Sequence, residues 1–316
     1  MSALRTRSSN GKSEKRAGEP HRDGIQWMCA GANEKRADMN AQILYTVVAL
    51  WLAIPTASWA QDNDPEASVV WQKLRADLFA GAPIAAGDNV VTLETPKRAE
   101  DAAIVPVAIR AQFAQTSDRY IEKLWLIIDN NPSPIAAAFR LTPGSGRADI
   151  ETRMRVEQYT HVRAIALTND GKLYMVTNYV KASGGCSAPA SKDAAAARAN
   201  LGKMRFRFDD ALVPDRPARA QLMISHPNDS GLAMDQLTRT YAPPHFVRSI
   251  EVRYDGKMVM SADVDFSISE NPNFRFYFVP GNGGELDAKV IDNKDLEFTA
   301  SVSLDSGRVG AASTLR

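Results

Sequence analysis

The apolar residues of this chain fall into one long run and many short ones. The long run covers residues 43–57, follows Lys35 and Arg36, and is followed by small residues that end at Ala60. A run of this length between basic residues and a small-residue site is typical of a secretion signal, and it is short for a membrane helix. We therefore expect residues 1–60 to be a leader cleaved after Ala60, which delivers a periplasmic mature protein without a membrane segment.

The first segment of the mature chain predicts a single short helix. Asp64 supplies an N-terminal cap and Pro65 suits the first helical position. Val70, Leu74 and Leu78 then recur every four residues before the next glycine. This spacing places the three side chains on one face of a helix, which we expect to be buried.

Beyond this helix the apolar period changes to two, which is typical of strands. The dipeptides Asp170-Gly171 and Asp255-Gly256 predict hairpin turns between adjacent strands. The spacing of the strands predicts two β-sandwich domains, followed by a frayed polar tail at 305–316. The predicted strands cover 90–93, 104–109, 124–128, 135–141, 149–156, 162–167 and 173–180 in the first half, and 204–208, 220–224, 246–254, 258–264, 274–279, 286–291 and 296–302 in the second.

The charge of the mature chain argues against a nucleic-acid partner. The leader contains 8 of the 38 Lys and Arg residues and 5 of the 37 Asp and Glu residues, so the remainder has a formal charge near −2. Proteins that bind nucleic acid usually present a basic surface. We expect none here.

Cysteine usage is the most specific feature of the composition. Cys29 lies in the leader, so Cys186 is the only cysteine of the mature chain and has no internal disulfide partner. Gly184 and Gly185 precede it and favour a flexible segment. Six residues separate Val180, the last strand residue, from Cys186, so the sulfur could reach roughly 20 Å from the sheet edge. Residues 181–202 are therefore interpreted as a Cys-bearing flexible arm and linker.

Three roles for Cys186 follow from its surroundings. A lone cysteine can be a small core residue, but its polar, glycine-rich flanks favour exposure. It can form a disulfide-linked dimer, which nothing in the loop excludes. It can also be a reactive thiol that exchanges sulfur groups, with Lys181 modestly favouring the thiolate. We favour the third role.

Other candidate residues give weaker signals. His226 and His245 are too far apart in sequence for a metal-ligand spacing, so we interpret them as structural and predict no metal. A Cys–His catalytic pair would need one of these, or His161, beside Cys186, which a mobile arm positions poorly. The polar clusters at 129–132 and 169–171 are explained by turns rather than by calcium. No phosphate loop, nucleophile elbow or carboxylate pair is visible, so we expect no catalytic centre and no cofactor.

Two sets of motifs resemble a known pair of proteins. The first half resembles SoxY of bacterial sulfur oxidation through Val105-Pro106-Val107, residues 129–134, residues 152–156, and Asn169-Asp170-Gly171 leading to residues 180–186, which end in Gly184-Gly185-Cys186. The second half resembles SoxZ through residues 224–231, 243–247 and 269–276. The SoxY motif continues with two further glycines at a free C-terminus, whereas Ser187 follows here and the chain runs on.

This resemblance implies a fold and a function. It implies two immunoglobulin-like sandwiches, a SoxY-like domain at 61–180 and a SoxZ-like domain at 203–304, and it implies that Cys186 is the attachment site for thiosulfate-derived or related sulfur groups. Its partners would be periplasmic sulfur-metabolism enzymes or a quinoprotein dehydrogenase system, which fused carriers of this type accompany. Two alternatives stay open: a non-covalent binding or chaperone module for such a dehydrogenase, and a thiol enzyme such as a sulfurtransferase.

Overall fold

The computed structural model describes residues 64–188, 199–209, 211–234, 238–305 and 308–314. Contacts divide the chain into two units, residues 1–60 and residues 61–316. The predicted leader, its cleavage site, and the alanine-rich part of the predicted linker lie outside the described residues. No helix in the described part of the chain combines the length and the apolar character that crossing a bilayer requires.

The N-terminal helix is present, although its cap and its buried face differ from the prediction. Asp64 caps only a 3-10 turn at Pro65–Ala67, whereas Ser68 caps helix α1 (Val69–Phe79). Trp71 is buried, and Val70 is 38% exposed. Leu74 and Leu78 pack against the same cluster as Trp71, as predicted, whereas Val70 in the first turn lies outside it.

The rest of the described chain is a two-layer β structure, which confirms the all-β, immunoglobulin-like fold class. Each predicted strand is present, and both Asp-Gly dipeptides connect hairpins. The strands are β1 (Ile84–Ala86), β2 (Val91–Glu94), β3 (Val105–Ala111), β4 (Ile121–Ile128), β5 (Ile135–Leu141), β6 (Ile150–Met154), β7 (Thr160–Thr168), β8 (Leu173–Val180), β9 (Met204–Phe208), β10 (Ala218–Ile224), β11 (Val247–Tyr254), β12 (Lys257–Val264), β13 (Asn273–Phe278), β14 (Glu285–Asp292), β15 (Glu297–Asp305) and β16 (Arg308–Thr314).

The two halves share both sheets instead of packing as separate sandwiches. One sheet has ten strands in the order β1-β8-β7-β4-β5-β12-β11-β14-β15-β16, and the other has six in the order β2-β3-β6-β13-β10-β9. The halves meet where β5 pairs antiparallel with β12 and where Glu151 of β6 pairs with Arg275 of β13. We call this line of pairing the seam.

The core is continuous across the seam. One cluster of buried apolar side chains contains residues from both halves, and the rings of Phe139 and Phe274 meet edge to face at 6.0 Å. On the outer surface, Glu151 forms ion pairs with Arg110 of its own half, at 2.6 Å, and with Arg275 of the other half, at 3.1 Å. Shared apolar burial and shared backbone pairing thus join the halves more strongly than a polar interface would.

The C-terminal tail differs from the frayed segment that its composition predicts. Strand β16 (Arg308–Thr314) pairs antiparallel with β15 over seven positions, from Thr299 opposite Thr314 to Asp305 opposite Arg308. Without it, β15 would be the sheet edge, with unpaired N–H and C=O groups. This segment consists largely of small residues and carries no period-two apolar signal, which explains why the sequence did not predict β16.

Candidate functional site

Cys186 lies in a loop docked beside the end of β6. The Gly184 N–H donates to the Glu157 carbonyl at 2.9 Å, and the Gly185 N–H donates to the Val156 carbonyl at 3.0 Å. These bonds satisfy the backbone donors of the glycines within the protein. The expectation of a solvent-exposed cysteine is therefore wrong for this conformation, because these bonds hold the loop against the segment that follows β6. The mobility of the arm stays a prediction.

The Glu157 carboxylate holds the cysteine itself. Its Oε2 accepts the backbone N–H of Cys186 at 2.8 Å and that of Ser187 at 3.1 Å, and its Oε1 accepts the Ser187 hydroxyl at 2.8 Å. Three donors of the loop thus converge on one carboxylate. Hydrogen bonds to a charged acceptor are among the stronger ones in proteins, so Glu157 is the main anchor of the docked loop.

The C-terminal half completes the docking site. The Ser230 hydroxyl donates to the Cys186 carbonyl at 2.5 Å. Arg155 bridges the two halves, because it donates to the Gly185 carbonyl at 3.3 Å and to the Asn228 carbonyl at 3.2 Å. The loop that carries the thiol is therefore held from both sides of the seam.

The close approach of the loop requires a glycine at position 185. A Cβ atom at Gly185 would lie 2.1 Å from the Ala102 carbonyl oxygen and 2.7 Å from the Val156 amide nitrogen. Both distances are far below van der Waals contact. Gly184 differs, since a Cβ atom there would meet nothing within 4 Å, but its φ of +83° is unfavourable for other residues.

The docked thiol is fully buried and protonated at neutral pH. Cys186 has 0% relative exposure. Burial, followed by the negative charge of Glu157, raises its pKa to about 12, while the positive charge of Arg155 opposes this shift. A thiol with such a pKa has almost no thiolate at neutral pH, and the thiolate is the nucleophile. Reaction at Cys186 therefore requires the loop to leave its docking site.

Asn131 positions the groups that hold the loop. Its Nδ2 donates to the Arg155 carbonyl at 2.8 Å and to the Ser267 hydroxyl at 3.0 Å, and its Oδ1 accepts the Glu157 N–H at 2.9 Å. The polar cluster at 129–132 thus does more than form a turn. It fixes the backbone from which both Arg155 and Glu157 project.

A second polar cluster, which the sequence spacing did not predict, lies in the C-terminal half. The cluster consists of His226, His245 and Asp292, each of which offers one candidate ligand atom, and these three atoms lie within 4.8 Å of one another. The His226 Nδ1 accepts the Asn228 N–H at 3.0 Å, so the neutral ring has its proton on Nε2. In this tautomer Nε2 offers no lone pair to a metal, and the arrangement is that of a hydrogen-bonded structural cluster.

Hydrogen bonds and burial set the pKa values of Asp292 and His226 in this cluster. The His245 Nε2 lies 2.7 Å from Asp292 Oδ2, while Asp292 Oδ1 accepts the N–H groups of Lys294 and Leu296. Although burial opposes ionisation, these bonds lower the pKa of Asp292. Burial and the neighbouring His245 lower the pKa of His226 to about 4, so the His226 ring is neutral at neutral pH.

Sequence reasoning found the cysteine and the glycines but missed the groups around them. Lys181 was the expected neighbouring cation, whereas the structure brings Arg155 to Cys186. The side chains that hold the Cys186 loop are Arg155, Glu157 and Ser230. Arg155 and Ser230 both lie within the motifs that carry the resemblance, which was the available signal, but a motif does not reveal which of its residues contact each other.

Comparison with known families assigns a different family to each half of the chain. Residues 75–186 match the model of the sulfur oxidation protein SoxY, and the match ends at Cys186. Residues 206–303 match the model of the sulphur oxidation protein SoxZ. The chain is a SoxY domain fused to a SoxZ domain. These domains indicate a carrier role in sulfur oxidation, and the thiol loop of the SoxY domain is docked with the help of Ser230 from the SoxZ domain.

Similar solved structures cover parts of this SoxY–SoxZ chain. The sulfur carrier protein SoxY from Chlorobium limicola f thiosulfatophilum is 23% identical over 35% of this chain and 90% of its own, with a TM-score of 0.30. A superoxide reductase (neelaredoxin) from Ignicoccus hospitalis is 14% identical over 29% of this chain and 79% of its own, with a TM-score of 0.26. Among curated proteins there is no match to this sequence.

Proposed function

We propose that this SoxY–SoxZ protein carries sulfur groups covalently on Cys186 and passes them between partner enzymes of the periplasm. The observation that carries the proposal is the SoxY match, which ends at the single cysteine of the predicted mature chain. The loop around that cysteine is held by hydrogen bonds from Glu157 and Ser230, and Ser187 beside it is exposed. A segment anchored in this way can leave its site without unfolding a sheet.

The proposed cycle alternates between a docked and an undocked loop. In the docked state the thiol is buried and protonated, which protects it in an oxidising compartment. In the undocked state its pKa returns toward the ordinary value, and the thiolate forms an S-thiosulfonate, a persulfide or a mixed disulfide. Joining the thiolate to the outer sulfur of thiosulfate makes one S–S bond and releases two electrons, which a partner oxidoreductase must accept. The protein itself supplies docking surfaces and no catalytic centre.

Intact-protein mass spectrometry tests this proposal. The protein is isolated from its native periplasm without reductant, and a mass increment that reductant removes is expected at Cys186. The Cys186→Ser variant should lose both the increment and sulfur oxidation in cells, while Ser183→Ala, in the same loop, should keep both. An unmodified thiol under conditions of active sulfur oxidation would contradict the carrier role.

The burial of Cys186 favours a second candidate function. A fully buried thiol with a pKa of about 12 is also what a structural cysteine would show. In that case the protein would bind a periplasmic quinoprotein dehydrogenase non-covalently, as a chaperone or docking module. Full activity of Cys186→Ser in cells would favour this function, whereas turnover of thiosulfate by the purified protein alone would favour a thiol enzyme instead of either.

A further inference from the structure

Arg155 is a buried cation that forms no direct ion pair among the described residues. It is 2% exposed, and the carboxylates of Glu270, Asp229 and Asp101 act on its charge only electrostatically. Its two terminal nitrogens donate hydrogen bonds to the carbonyl oxygens of Gly185 and Asn228. Its Nε is buried and has no hydrogen-bond partner among the described residues.

Another fully buried arginine of the same molecule has the carboxylate partner that Arg155 lacks. Arg163 is equally buried, but its guanidinium meets the Asp129 carboxylate in a bidentate pair at 2.9 and 2.7 Å. Buried charges in proteins are normally paired, since an isolated one is costly, and each unpartnered buried group needs an explanation. Burial accordingly lowers the pKa of Arg155. The position of its guanidinium beside the docked loop suggests which anion is missing.

The sulfur of Cys186 is the group that can supply this charge. Arg155 contacts the carbonyl of Gly185, the residue directly before the cysteine. A charge on Cys186 interacts with Arg155 more strongly than the neighbouring carboxylates do. The unloaded docked thiol is neutral and forms no ion pair with Arg155. A sulfonate-bearing adduct is anionic at every physiological pH. Guanidinium groups bind such oxyanions with strong, directional hydrogen bonds.

We propose that Arg155 is an anion-binding residue that receives a permanently anionic sulfur group on Cys186, so that the loaded loop docks more tightly than one with a neutral adduct. This inference rests on the proposed function, that Cys186 carries sulfur groups. The negative charge of Glu157 disfavours a charge on Cys186, whereas the positive charge of Arg155 favours it. The Glu157 carboxylate already accepts hydrogen bonds from three donors of the loop. The two side chains thus have different roles. Glu157 binds the loop backbone, and Arg155 binds the anionic group on Cys186.

Two chemically loaded forms of the protein test the inference. Attack of the Cys186 thiolate on a central sulfur of tetrathionate breaks one S–S bond, expels thiosulfate and leaves the anionic adduct –S–SO3−. Methyl methanethiosulfonate leaves the neutral adduct –S–CH3 and expels methanesulfinate. Hydrogen exchange of the Cys186 and Ser187 amides then reports docking, because both amides donate to Glu157 when the loop is docked.

We expect these amides to exchange about tenfold more slowly in the anionic adduct than in the neutral one. Arg155→Gln should remove this difference, and Arg155→Lys should keep part of it. Arg153→Gln, two residues away and bonded to the carbonyls of Glu270 and Asn271, is the matched control and should leave it unchanged. Equal exchange in the two wild-type adducts, or faster exchange in the anionic one, would overturn the inference.

The outcomes separate this inference from the carrier function itself. If Arg155→Gln fails to fold, the comparison of the two adducts in the wild-type protein still decides the matter. A native adduct at Cys186 without a difference in exchange would leave the carrier role and remove the role of Arg155. A difference in exchange without any native adduct would support the anion-binding role of Arg155 and contradict the carrier role, because the anion site would exist without a cargo in cells.

Discussion

The Glu157 carboxylate accepts a hydrogen bond from the Cys186 amide at 2.8 Å, and its charge adds to the effect of burial in raising the pKa of the Cys186 thiol. One side chain therefore both anchors the loop and suppresses its chemistry. A carrier that is exposed to oxidants and to unintended partners benefits from this coupling. The thiol becomes reactive only when the anchor is released, so reactivity and mobility appear together.

Replacement of the anchor should expose the thiol. Glu157→Ala removes the acceptor of three hydrogen bonds, each contributing roughly 1 kcal/mol, so we expect alkylation of Cys186 by iodoacetamide at pH 7 to accelerate by about 100-fold. Glu122→Ala, which removes an exposed carboxylate on β4, is the control and should leave the rate unchanged. An unchanged rate in Glu157→Ala would mean that the carboxylate does not control docking.

The share of the SoxZ domain in docking can be measured in the same assay. Ser230→Ala removes the single hydroxyl that the SoxZ domain donates to the Cys186 carbonyl. The loss of one hydrogen bond of about 1 kcal/mol predicts a roughly fivefold faster alkylation. Ser230→Thr, which keeps the hydroxyl, should restore most of the protection. If Ser230→Ala reacts at the wild-type rate, the SoxY domain holds the loop alone.

The two glycines should respond differently to substitution. Gly185→Ala places a Cβ atom 2.1 Å from the Ala102 oxygen, so the loop cannot dock as it does here, and we expect alkylation to accelerate at least tenfold. Gly184→Ala meets only the strain of its positive φ, at a cost of about 1 kcal/mol, which predicts a smaller increase. If the glycines served only as flexible joints, neither substitution would raise the reactivity of the thiol.

The comparison of sequence and structure separates local from non-local information. Alternating apolar residues and the Asp255-Gly256 turn predicted strands and hairpins, because both signals arise from neighbours in the sequence. The pairing of β5 with β12 across the seam carries no such signal. Its register depends on residues more than a hundred positions apart, for example Leu141 opposite Met260.

The docking of the Cys186 loop shows the same limit at the functional site. Glycine and polar residues next to a cysteine favour exposure on average, and this average predicted a free arm. The loop is buried because Arg155, Glu157 and Ser230 supply partners for its backbone. The motifs that contain Arg155 and Ser230 do not reveal these contacts. The sequence could thus single out Cys186 as the candidate residue, whereas the environment of that residue could not be predicted.

Alkaline pH should release the thiol in a characteristic way. The docked thiol has a pKa of about 12 against an ordinary value of 9.0, so docking is favoured fully below about pH 9 and is weakened as the pH rises toward 12. The alkylation rate should therefore keep rising with pH above 9, where the rate of a free cysteine peptide levels off. The measurement is the rate between pH 7 and 10.5, and a plateau near pH 9 would show that the thiol is already undocked.

Acid should destabilise the SoxZ domain through His226. The pKa of His226 is lowered to about 4 in the folded protein, mainly by burial and then by His245, against 6.5 when unfolded. The unfolded chain therefore binds the proton more tightly, and folding stability should fall by up to about 3 kcal/mol as the pH drops from 6.5 to 4. The lowered pKa of Asp292 adds a loss only below its ordinary value of 3.8. Urea unfolding should show this slope in the wild type and in the control His161→Gln, and the same slope in His226→Gln would assign the acid sensitivity to another group.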